Sequence, residues 1–156
     1  MVALRSLRRR WRGLFAGLDD DESPDDLARR RDATGRSALD HATHAAGTIA
    51  LLGRALDQTL VSERPTLEPA VGDPDLRSAD APAGTTVEGA LDHLALEAEA
   101  LAAQAERRSA EQWSRTATVA GDGASVSALD LLWDAVDTAV ADLKAAERTL
   151  REVRGR

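Results

Sequence analysis

Residues 37–61, SALDHATHAAGTIALLGRALDQTLV, decide the fold of this chain. Ser37 followed three residues later by Asp40 is a helix-start signature: the hydroxyl takes an orphan backbone N–H and the carboxylate takes the serine's own. Behind it Ala42, Ala45, Ile49, Leu52 and Leu56 recur at three- and four-residue spacing, the buried face of a long helix reaching Val61, while Asp40, Arg54, Asp57 and Gln58 fall on the other side. Two of the chain's three histidines, His41 and His44, lie within or at the edge of the apolar half, and His44 shares its line with Thr48, Leu51 and Ala55. A buried imidazole must find a hydrogen-bond partner or a metal, so this pair is the best pointer to function. The plainer expectation is a core histidine bonded to a backbone carbonyl or to an acid from the last helix.

Working outward, Leu4, Leu7, Trp11, Leu14, Phe15 and Leu18 make one apolar stripe, with Arg5, Arg8, Arg9, Arg10 and Arg12 around the rest of a first helix. Acids follow from Asp19 to Asp26, and Ser23-Pro24-Asp25-Asp26 starts a short helix to about Arg31 before Gly35 breaks the chain. Downstream, Pro65, Pro69, Pro74 and Pro82 crowd residues 62–84, which reads as a long crossover without a regular element. Thr85 or Thr86 then caps a third long helix with Val87, Leu91, Leu94, Ala98, Leu101 and Ala105 on its stripe. Ser109 to Trp113 reads as a short capped turn that packs Trp113 over the bundle end, and Gly121-Asp122-Gly123 as a turn. Ser127 caps the last helix, whose stripe we draw through Leu129, Leu132, Trp133, Val136, Val140, Leu143 and Leu150. The expected architecture is all-α: a single domain over residues 1–156, a four-helix bundle with a long crossover between helices two and three.

Composition narrows the function classes. With 43% hydrophobic but 3% aromatic residues the core is built of Ala, Leu and Val, which suits close-packed helices. A net charge of -7 argues against a general nucleic-acid binder. Absence of cysteine excludes thiolate ligands and a protein thiol nucleophile, so thiol chemistry needs an external thiol. No apolar run approaches a membrane span or a secretory leader, and a soluble, cytoplasmic protein is expected. The basic first helix also fits contact with a membrane surface, but its stripe is what a bundle wall needs, and packing is the preferred reading. The acids from Asp19 to Asp26 balance its arginines within the protein or against a second copy, as in a homodimer. His93 reads as a surface histidine without a role, and Ser127 as a cap rather than a nucleophile.

The run from Gly35 to His44, the later Arg64-Pro65-Thr66-Leu67, Glu111 to Thr116, and Ser125 to Leu132 together resemble DinB-like domains of the actinobacterial, mycothiol-dependent maleylpyruvate isomerase type. The likeness runs from helix one to about Leu143 and is carried by the order of several weak motifs. It implies a four-helix bundle that commonly holds a divalent metal on three histidines, with a low-molecular-weight thiol such as mycothiol as cosubstrate in some members. It places the first ligand at His44 and the other two on the last helix, four residues apart, where this chain has Trp133 and Asp137. An indole has no lone pair for a metal. The expected outcome is therefore a degenerate site plugged by Trp133, with no cofactor, in a module that binds a small molecule or protein. The alternative is a rebuilt zinc or nickel site on His44 and Asp137 with His41 or Asp134, serving a thiol transferase, isomerase or hydrolase.

Overall fold

The computed structural model describes residues 1–18, 22–77 and 80–155. Asp19, Asp20 and Asp21, three of the acids expected to balance the helix-one arginines, lie outside the described residues. Six helices are present among them: α1 (Val2–Ala16), α2 (Pro24–Arg29), α3 (Ala38–Val61), α4 (Val87–Ala105), α5 (Ala110–Trp113) and α6 (Ala128–Arg154). The starts of four of them form as the sequence reads. Ser37 with Asp40, Ser109 with Gln112 and Ser127 with Asp130 each make both halves of a capping box, and the Thr86 hydroxyl accepts from Gly89 N. The Ser23 side chain makes no such bond, although α2 starts with Pro24 at its first helical position, as read.

The four long helices form the bundle, α3 packing on α6 and α4, and α1 on α4 and α6. Arg5 pairs with Glu99 and Glu106 while Arg8 pairs with Asp92, so α1 runs antiparallel to α4. Gln104 near the end of α4 donates to Gly53 O in the second half of α3, and the crossover returns Ala81 to Asp40 at the start of α3, which makes α3 and α4 parallel. Arg154 at the end of α6 donates to Gly17 O just beyond α1, so those two helices run side by side in one direction. Direction therefore goes up, down, down, up. The crossover is what lets two sequential helices lie parallel.

The core is one contiguous cluster in which alanines are as prominent as leucines. Ala38, Ala42, Ala45 and Ala46 of α3 and Ala128, Ala135, Ala139 and Ala146 of α6 are fully buried, so these backbones approach closely. Trp11 is fully buried and stacks on Phe15 at 6.1 Å between ring centroids. No helix among the described residues is long and apolar enough to cross a membrane.

The connections hold order that the sequence reading lacks. Thr66–Leu67 (β1) pairs in parallel with Thr116–Val119 (β2), which pairs antiparallel with Ser125–Ser127 (β3) across the Gly121-Asp122-Gly123 turn. The crossover also makes single 3₁₀ turns at Pro69–Val71 and Pro74–Leu76. Buried Arg77 clamps it by donating to Ala70 O, Val71 O and the Asp134 carboxylate of α6. Asp40, read as outward-facing, is 2% exposed because the crossover folds back over it: its carboxylate accepts from Ser37 N and Ala81 N, and both bonds hold its pKa below the usual range against the upward push of burial.

Candidate functional site: two histidines on one carboxylate

The site forms where the first turns of α3 meet the middle of α6. His41 and His44 are one turn apart on α3 and present their rings to α6. Because the helices are antiparallel, the α6 residue opposite them is Asp142. Its Oδ2 lies 2.6 Å from His44 Nδ1 and its Oδ1 3.4 Å from His41 Nδ1. His41 and Asp142 are each 6% exposed and His44 is partly buried. Burial alone would raise the Asp142 pKa, but hydrogen bonds from His41 and His44 and the charge interactions with both rings outweigh it and lower it below the ordinary carboxylate value. An ionised carboxylate only accepts, so the histidine nitrogens donate. Among the described residues neither Nε2 has a hydrogen-bond partner.

The ligand positions carried over by resemblance are corrected by this register. Asp137 is exposed on α6 and does not face His44. Trp133 is 56% exposed, so it plugs nothing: it lies on the outward side of α6 while the buried side runs through Ala135, Ala139 and Asp142. Asp134 is taken by Arg77. One turn on either side of Asp142 stand Thr138 and Ala146, so this face of α6 offers a single strong donor. His93 is on the surface of α4, 3.5 Å from Glu97.

The Nδ1 side of the pair is closed to a divalent metal. Ligands about 2.0–2.1 Å from a tetrahedral zinc sit about 3.3 Å from each other. At 2.6 Å, His44 Nδ1 and Asp142 Oδ2 are at hydrogen-bond distance and leave no room for an ion between them. Among the described residues no group of three or more His, Asp or Glu side chains is placed to hold a metal. A groove of about 750 Å³ lies on another flank of α3, against α4, between Ile49, Gly53 and Arg54 on one wall and Glu97, Leu101 and Gln104 on the other.

Asp142 is the residue that sequence reasoning missed. Its signal was available: an acid in register with Ala135, Ala139 and Ala146, on a face too small-sided to rank as apolar.

No family model matches the sequence, and no curated protein matches it. A solved structure does: YfiT from Bacillus subtilis, described as a probable metal-dependent hydrolase with an unusual four-helix bundle topology, superposes with a TM-score of 0.68 at 14% identity, covering 94% of this chain and 83% of that one. The likeness shows that this chain has the four-helix bundle fold of YfiT, as its resemblance to DinB-like domains implies.

Proposed function

We propose that the chain is a binding module on a DinB-like bundle, cytoplasmic and without a resident metal or thiol cosubstrate, in which His41, Asp142 and His44 tie α3 to α6. The observation that carries this reading is the 2.6 Å bond between His44 Nδ1 and Asp142 Oδ2, which commits the one histidine expected to anchor a metal to a neighbouring carboxylate. Equilibrium dialysis of untagged protein against zinc or nickel tests it. Well under one equivalent is expected to be retained, and chelator should leave the melting temperature unchanged. Stoichiometric metal that is lost in His44→Ala would overturn the reading.

A second reading, a metal-dependent hydrolase, of the kind described for YfiT, or a thiol transferase or isomerase, is favoured by one specific observation. Imidazoles held by a carboxylate through Nδ1 keep Nε2 uncommitted, the arrangement found behind metal ligands. The Nε2 atoms of His41 and His44 would have to hold the ion, with further donors from solvent or substrate. The dialysis separates the two readings.

A further inference from the structure

We propose that the first three turns of α6 are a docking surface for a basic amphipathic helix of another protein. The inference deepens the binding-module reading and rests on it for its biological sense, but the surface is defined by its own observations.

The stripe that the sequence suggests for the core of α6 splits in the structure. Leu132, Leu143 and Leu150 are buried, whereas Leu129 is 41% and Trp133 56% exposed, with Val136 and Val140 half-buried beyond them. Helix lengths explain why. α6 has 27 residues and α1 has 15, and the Arg154 bond to Gly17 O aligns their C-terminal ends. The first 12 residues of α6 therefore project about 18 Å past the start of α1, and Leu129 and Trp133 lie on that overhang. An exposed tryptophan four residues from an exposed leucine, with two valines in line, is the anchor pattern of a helix-binding face.

Charge selects the occupant. Asp130 and Asp137 flank the stripe on one side, both exposed. The Asp130 carboxylate is kept ionised by Ser127, and Asp137 has no ion pair among the described residues. The first cation along this face of α6 is Lys144, two turns past Asp137. An apolar stripe with an acidic rim fits a partner helix with leucine-like anchors and a basic flank, whose cations also find the Trp133 ring face. A second copy docked antiparallel through the same stripe would set Asp130 and Asp137 against their own equivalents, on a chain already carrying -7.

The probe is a synthetic leucine-lysine amphipathic peptide of about 18 residues, long enough to hold a helix, beside its leucine-glutamate counterpart. Titrated into the full chain, the lysine peptide should bind saturably, shift the Trp133 indole resonance, and lose affinity as salt rises. The glutamate peptide should not bind. Trp133→Ser and Asp137→Lys, both at exposed positions, should melt like the wild type and weaken lysine-peptide binding at least about tenfold. An unmoved Trp133 indole, or variants that bind as the wild type does, would overturn the proposal. So would a concentration-dependent dimer in sedimentation that Trp133→Ser abolishes, which would assign the face to a second copy. Metal dialysis reads the histidine cluster and peptide titration reads the α6 face, so failure of either is distinguishable from failure of the other.

Discussion

Asp142 is a buried acid whose two oxygens face two imidazoles from another helix, and removing it strands both. Asp142→Ala should cost about 3 kcal/mol in denaturant unfolding, because two part-desolvated rings lose their acceptor and a void remains. Asp142→Asn keeps an acceptor oxygen and should cost less. The pH dependence has a definite sign. Since hydrogen bonds hold the folded-state pKa below the unfolded value near 3.9, this contribution is complete above about pH 4 and is lost as pH falls through the folded pKa. The stability gap between wild type and Asp142→Asn should shrink in that acid window; a gap that widens there would contradict the ionised-carboxylate assignment. His41 and His44 were legible in the sequence as buried or part-buried, and an acid of the last helix as their possible partner. Which acid was not legible. The α6 stripe drawn through leucine, valine and tryptophan is turned by about 90° from the buried face, because Ala128, Ala135, Ala139 and Ala146 pack tightly yet weigh little in hydrophobicity.

At the scale of elements, helix starts were the most readable feature, because a capping box is a local bargain between residues three apart. Ser37, Ser109, Ser127 and Thr86 cap where the sequence places them. The small sheet was not read, since the paired positions of β1 and β2, Thr66 on Thr118, are 52 residues apart, and a two-residue strand carries almost no period. Thr116-Ala117-Thr118-Val119 does alternate exposed and buried and is the one local clue. The packing of crossover on sheet is tight at Gly72, where an added Cβ would come within 2.9 Å of buried Val119 Cγ1. Gly72→Ala should therefore destabilise by about 1 to 3 kcal/mol and loosen the crossover. Faster hydrogen exchange at Val119 N and Ala120 N, which bond to Ala124 O and Leu67 O, would report it; unchanged protection would show that the turn relaxes freely.

For the whole molecule, the order up, down, down, up makes α1 the wall that closes the bundle, with Leu4, Leu7, Trp11 and Phe15 buried and Arg5 and Arg8 paired to α4. Deleting residues 1–18 should leave a chain that is unfolded or aggregates, as judged by loss of a cooperative melt. A truncation that still melts cooperatively would show that α1 serves a surface instead. The bundle and its crossover were legible from periodicity and prolines, but the register of α3 against α6, on which the site depends, arises only when the helices pack. That register brings His44 to Asp142, and long-range ¹H–¹⁵N NMR of the imidazoles reads the result most directly. His41 and His44 should both show a protonated Nδ1 in the protein as purified, and added zinc should leave their resonances in place. An unprotonated Nδ1 on His44, or a stoichiometric zinc-induced shift of both rings, would contradict the tie and restore a metal centre.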